Sequence, residues 1–158
     1  MDKMSVIQKA YNSAQRISIY QKGRNNNDLQ ILNYTNDMVT FLKGTKQFSL
    51  PMDEVQINID YTDRFYRDMY CMEKTGMDFD KLADHIENLY HWDKCEDVTQ
   101  VGYKYGSSSA KRLDVTVNGL YLVAAMTYGT VTGIRFPDGT RVSKYYSNTS
   151  SRWESRIL

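Results

Sequence analysis

Arg135 and Arg141 bracket the run Phe136-Pro137-Asp138-Gly139-Thr140, and that spacing has a chemical consequence. If Pro137-Asp138-Gly139 forms a three-residue hairpin turn with Gly139 left-handed, Phe136 opposes Thr140, Arg135 opposes Arg141 and Gly133 opposes Ser143. Like charges directly across a ladder weaken it by a few tenths of a kcal/mol unless something anionic sits between them. The chemistry is therefore anion binding. Lys144, Tyr145, Tyr146, Arg152 and Trp153 extend the pair into a basic, aromatic tract of the kind that holds phosphates and stacks bases. Against this stands solvation of the two arginines, or their pairing with Asp138, Glu154 or the acidic middle of the chain. A two-residue turn at Asp138-Gly139 would break the Arg–Arg opposition altogether.

A second constellation lies upstream. Asp84, Glu87, His91 and Cys95 recur at intervals of three and four, so a helix carries them on one face. All four side-chain types bind zinc, but structural zinc sites draw ligands from two elements and no second Cys or His cluster exists. The same face lies opposite an apolar stripe, where polar residues belong anyway. No metal or other cofactor is expected. Asp78, Asp80 and Asp84 resemble the carboxylate set of a metal-dependent nuclease only in type, since Asp78 is better used as a helix cap and Asp80 as a first-turn charge. No glycine-rich phosphate loop and no Gly-x-Ser-x-Gly elbow is present, and both histidines, His85 and His91, fall on one helix. The sequence reads as non-enzymatic.

Charge is segregated in blocks. Residues 1–52 hold seven bases against three acids, residues 53–97 five against thirteen, and residues 98–158 eight against three, giving +4, −8 and +5. Separated fields of this kind steer partners even when the net charge is only +1. The acidic face made by Asp80, Asp84 and Glu87 is the expected contact for a basic partner surface. At 158 residues, with 41% hydrophobic and 25% charged content, the chain is sized for one domain. Its longest apolar run, Leu120–Met126, is far too short to cross a bilayer, and Met1–Ser5 opens an amphipathic pattern rather than a signal peptide. A cytosolic protein is expected, without membrane contact. Cys71 and Cys95 fall on two helices whose antiparallel return separates them by roughly 15–20 Å, which reads as two reduced thiols.

These residues need a scaffold, and the periodicities supply one. Met4, Ile7, Ala10, Ala14 and Ile17 predict a helix over 3–16. Ile17–Tyr20 alternates as a strand, Gly23–Asp28 reads as a polar loop, and strands follow at 29–34, 38–42, 47–50 and 55–59, with a turn at Lys43–Lys46. The 38–44 piece also fits a short helix ending at Gly44. Thr62 is placed to cap a helix with Phe65, Tyr66, Met69, Tyr70 and Met72 on its apolar face, stopped by Gly76. Asp78 caps a second helix, with Phe79, Leu82, Ile86, Leu89 and Tyr90 buried, running to about Cys95. Beyond Asp97 the period becomes two. Asn118-Gly119 predicts a hairpin pairing Val117 with Leu120, Val115 with Leu122 and Leu113 with Ala124. Strands near 99–105, 111–117, 120–127, 129–136 and 140–146 then make an antiparallel meander, with closure into a small barrel as one outcome.

The expectation is an α+β fold in a single domain, 1–158, subdivided into an α/β lobe (1–60), an acidic helical hairpin (61–97) and a basic meander of about five strands (98–158). The lead functional expectation is a non-catalytic interaction protein. The Asn- and Tyr-rich, Pro-poor composition is common in small accessory proteins of phages and mobile elements of AT-rich bacteria. In that setting the expected role is an inhibitor: a host-defence antagonist, in the cytoplasm of a bacterial host, that binds and blocks a larger nucleic-acid-handling enzyme or its complex through the acidic face. The alternative is direct nucleic-acid binding by Arg135, Arg141, Lys144, Tyr145, Tyr146, Arg152 and Trp153. A phage structural subunit is a weaker third.

Overall fold

The computed structural model describes residues 1–61, 63–89, 96–97 and 110–144. Its contacts divide into two compact units, Met1–Ile59 and Asp60–Leu158. Each combines helix with antiparallel sheet, as the α+β expectation requires.

In the first unit, α1 (Lys3–Asn12) starts where the Asp2 carboxylate accepts the Met4 N–H, and buries Val6, Ile7 and Ala10. It stops short of the predicted residue 16 because Ala14 turns left-handed, at φ 54°. The strands β1 (Ile17–Gln21), β2 (Arg24–Tyr34), β3 (Met38–Lys43), β4 (Lys46–Pro51) and β5 (Gln56–Ile57) form one sheet in the order β4-β3-β2-β1-β5. Ile17, Ile19, Leu29, Ile31, Val39 and Phe41 are buried from it and α1 lies against β2, so one face carries the core.

Two sequence expectations change here, and the strand expected at 38–42 is found. Arg24–Asp28 is strand rather than loop: Lys22 and Gly23, both at positive φ, make a two-residue turn, and the asparagines pair onto β1. A bulge at Asp28 (φ 58°) resets the register, with Ile17 opposite Leu29 and Ile19 opposite Asn26. Residues 38–43 are strand, which removes the helical option. The 55–59 strand shrinks to Gln56–Ile57, because Met52–Glu54 coils into a 3-10 turn held by Lys3 Nζ on the Met52 and Val55 carbonyls at 2.8 and 3.0 Å.

In the second unit, α2 (Arg64–Thr75) is capped by Asp63, whose carboxylate accepts the Phe65 N–H at 2.8 Å, one residue after the predicted Thr62. It ends at Gly76, left-handed at φ 77°. Its buried face is turned from the predicted one: Tyr66, Arg67, Tyr70, Cys71 and Thr75 are inside, Phe65 and Met69 are half-buried and Met72 is 43% exposed. α3 (Phe79–Asn88) begins at Asp78 as expected and buries Phe79, Leu82, Ala83 and Ile86. Its end at Asn88 leaves Leu89 exposed, where burial was expected, while Tyr90–Cys95 lie outside the described residues.

β6 (Glu96–Asp97), β7 (Ala110–Val117), β8 (Leu120–Thr127), β9 (Thr130–Arg135) and β10 (Arg141–Ser143) form the second sheet, in the order β10-β9-β8-β7-β6. The Asn118-Gly119 hairpin has the predicted register, with Val117 opposite Leu120, Val115 opposite Leu122 and Leu113 opposite Ala124. The sheet stays open, with β10 and β6 at its edges, so the barrel option is corrected. The predicted strand at 99–105 lies outside the described residues. Leu113, Val117, Leu122, Ala124, Met126, Ile134 and Val142 are buried on one face by strand alternation. The opposite face carries Arg112, Asp114, Tyr121, Val123, Arg135 and Arg141.

Candidate functional site

The Pro137-Asp138-Gly139 turn has the three-residue form. Phe136 N–H donates to the Thr140 carbonyl at 2.8 Å, Gly139 N–H donates back to the Phe136 carbonyl at 2.9 Å, and Gly139 sits at φ 88°. Arg135 is therefore paired with Arg141 and Gly133 with Ser143. The turn is fastened from its own side. Asp138 Oδ1 accepts the Thr140 N–H at 2.9 Å, and Oδ2 accepts the Tyr70 hydroxyl at 2.6 Å. Those bonds, the Tyr70 one foremost, hold the Asp138 carboxyl below its ordinary value. Burial, then the same bond, pushes the Tyr70 phenol up. Tyr70 also meets Phe136 edge-on at 4.8 Å and Tyr61 at 5.0 Å. The two arginines thus leave a braced corner, and Asp138 is already engaged by Tyr70 and Thr140.

One cross-strand row runs Asp114–Val123–Arg135–Arg141 over β7, β8, β9 and β10. Beside it lies a shallow depression of about 470 Å3, lined by Arg135 and Arg141 with Tyr121, Val123, Phe136 and Pro137. Arg112 grips Asp114 with two bonds, at 2.7 and 3.1 Å, and the Tyr121 hydroxyl donates to the same carboxylate at 2.6 Å. Burial alone would raise the Asp114 carboxyl. The bonds from Arg112 and Tyr121, with the fields of Arg112 and Arg135, outweigh it and hold the group ionised below its usual range. This face carries the guanidiniums of Arg112, Arg135 and Arg141. Its aromatic ring, Tyr121, is half exposed and fixed at its hydroxyl. Among the described residues Arg141 makes no hydrogen bond or ion pair. The arrangement can hold a phosphate between the arginines and a flat ring on Tyr121.

Lys144 is exposed at the end of this strand, its backbone N–H on the Thr132 carbonyl at 2.9 Å. Tyr145, Tyr146, Arg152 and Trp153 lie outside the described residues.

The acidic trio divides. Asp80 is 65% exposed and lies 3.6 Å from Arg64. Asp84 is exposed and, among the described residues, its side chain makes no hydrogen bond or ion pair. Glu87 has an internal use: its Oε1 accepts the Val131 N–H at 2.8 Å, which ties α3 to β9. Of the zinc constellation, His91 and Cys95 lie outside the described residues. Among the described residues no three His, Cys, Asp or Glu side chains gather as a metal site would need. Cys71 is an unpaired thiol, fully buried, pushed up to about 12 by desolvation and then by Asp68.

Arg67 is the residue that sequence patterning missed. At 2% exposure it donates to the Ser143 and Lys144 carbonyls at 3.1 and 3.4 Å, contacts Asp68 at 3.2 Å and stacks 4.3 Å over Phe79. It positions β10, and with it Arg141. An arginine three residues from the exposed Arg64 on an amphipathic helix gives no local signal of burial.

Compared with models of known families, with curated proteins and with solved structures, the chain matches none. Among the described residues no helix is long and apolar enough to cross a membrane.

Proposed function

We propose that this protein is a non-catalytic docking protein acting in nucleic-acid handling, and that its C-terminal sheet contacts a nucleic-acid backbone through Arg135 and Arg141. One observation carries the reading: two guanidiniums are set opposite each other on one sheet face, at a depression bordered by a half-exposed tyrosine. Opposed like charges weaken a ladder when empty, and an intervening phosphate reverses the sign of that interaction. Backbone contacts of this kind position a polyanion without reading its sequence, and Tyr121 supplies a stacking surface that any base can use.

A binding titration with short single-stranded oligonucleotides, wild type against Arg135→Gln/Arg141→Gln, tests this. Affinity should fall as salt rises, and the double variant should bind weaker on every sequence with a shallower salt dependence. Loss confined to particular sequences, or no loss, contradicts it.

The inhibitor reading is favoured by a different observation, the exposure of Asp80 and Asp84 on α3. There the protein is an antagonist from a phage or mobile element. It occupies the basic surface with which a host defence enzyme holds its own nucleic acid. Asp80→Lys/Asp84→Lys separates the two readings: it abolishes inhibition if α3 docks, and leaves oligonucleotide binding intact or strengthened if the arginine face docks. Glu87 is left untouched in that variant because its loss would loosen α3.

A further inference from the structure

The β1–β2 hairpin of the first unit carries a second polar surface, independent of the arginine pair. A depression of about 590 Å3 is lined by Gln21, Lys22, Arg24, Asn25 and Asn26. Two hydrogen-bond relays fix its amides. A lysine ammonium only donates, so Asn26 must turn Oδ1 toward Lys43 Nζ, at 2.7 Å. Asn26 Nδ2 then donates to Gln21 Oε1 at 3.1 Å, which leaves the Gln21 Nε2 amide to donate elsewhere. In the second relay the Tyr20 hydroxyl donates to Asn58 Oδ1 at 3.0 Å, and Asn58 Nδ2 donates to Asn25 Oδ1 at 3.1 Å. That leaves the Asn25 Nδ2 amide, on the opposite face of the hairpin from Gln21 and Arg24. Both relays consume amide oxygens and spare amide N–H groups.

The spare groups are thus all donors, and they stand beside cations. Lys22 and Arg24 line the depression and, among the described residues, neither makes an ion pair. Lys43 is spent on Asn26 but keeps its charge. Asp28, the nearest carboxylate along the strand, sits at the bulge and does not line the depression. A sugar or a peptide amide needs acceptors as well as donors, and this surface offers few. A tetrahedral oxyanion needs donors alone.

We propose that Gln21, Lys22 and Arg24 form a phosphate-binding site at the β1–β2 hairpin, on the face where Gln21 and Arg24 are paired. The relay from Lys43 orients Gln21 in advance, so the donor need not be ordered when the anion arrives. The phosphate comes either as the free ion or as part of a nucleic-acid backbone. The chemistry at the site is the same.

The test follows the side-chain amide resonances of Gln21 and Asn26 in the full-length chain by NMR, in the Arg135→Gln/Arg141→Gln background so that the other face does not contribute. Inorganic phosphate and a short single-stranded oligonucleotide are titrated separately. Saturable shifts with both support the site. Shifts with the oligonucleotide alone assign it to the nucleic-acid backbone, and with inorganic phosphate alone to the free ion. Gln21→Glu, which swaps the donor for a charged acceptor, and Arg24→Gln, at an exposed position, should each weaken the response about tenfold while the remaining backbone spectrum is unchanged. No shift with either probe, or shifts that survive both substitutions, overturns the proposal. Failure here leaves the Arg135–Arg141 reading untouched, because that face is silenced in the background used.

Discussion

A guanidinium at 2% exposure has to be matched group by group, and Arg67 is matched by two strand carbonyls, one carboxylate and one ring face. Removing one side of such a set strands the other in low dielectric. Arg67→Met should lower unfolding free energy by about 3 kcal/mol in a denaturant titration, and Arg67→Lys should recover little, since a point charge cannot span both carbonyls. Equal stability of the Met variant would show that the buried charge contributes nothing. Asp138 gives a signed pH prediction. Its folded carboxyl is held below the ordinary 3.8, so the stabilisation it lends is present above that value and lost as pH falls through the lower, folded one. The gap in thermal midpoint between wild type and Asp138→Asn should therefore be open near neutrality and close on acidification. A gap that widens in acid contradicts the assignment. Tyr66 is the residue without an account: among the described residues its buried hydroxyl has no hydrogen-bond partner, and burial, then Asp63, pushes its phenol up.

Glu87 shows how an element is read wrongly from its own sequence. Its spacing from Asp84 places it on a polar helix face, while its use is decided by β9, a partner 44 positions away in the chain. Glu87→Ala should leave the Val131 N–H unpaired and cost about 1–3 kcal/mol, whereas Glu87→Gln keeps an acceptor and should cost less. A denaturant series on both variants checks this; equal losses would mean that charge, not the hydrogen bond, matters. Gly76→Ala tests the helix stop: nothing lies within 4 Å of an added Cβ, so the cost of about 1 kcal/mol expected by chemical denaturation is backbone strain alone.

Where local chemistry sufficed, the sequence was legible. Asn118-Gly119, Pro137-Asp138-Gly139, Asp78 and Gly76 each specify their own geometry within a few residues. Where pairing decided, it was not. Asn25, Asn26 and Asn27 have poor strand propensity and become strand because β1 lies alongside them, and the turned face of α2 follows from what packs against it.

At the scale of the whole molecule, blockwise charge is redistributed into local uses. Within the acidic block Arg64 lies 3.5 Å from Asp68 and 3.6 Å from Asp80, and Arg67 reaches Asp68; within the basic sheet Arg112 takes Asp114. The arginine opposition was visible in advance because turn length sets register. Tyr121 as its aromatic neighbour was not, because the β8–β9 register shifts between Ala125 and Met126, and no local sequence signal sets that shift. Tyr121→Ala should weaken single-strand binding by about 1–3 kcal/mol with the salt dependence unchanged, since stacking releases no counterions. A changed salt slope in that titration would instead make the tyrosine part of the electrostatic contact.

Retention of a short single-stranded oligonucleotide as ionic strength is raised, compared between wild type and Arg135→Gln/Arg141→Gln, tests the central claim most directly. The account predicts binding at low salt, decline along a linear log–log slope, and a slope shallower by about two in the double variant. Absence of binding at low salt, or identical slopes in the two proteins, would contradict it.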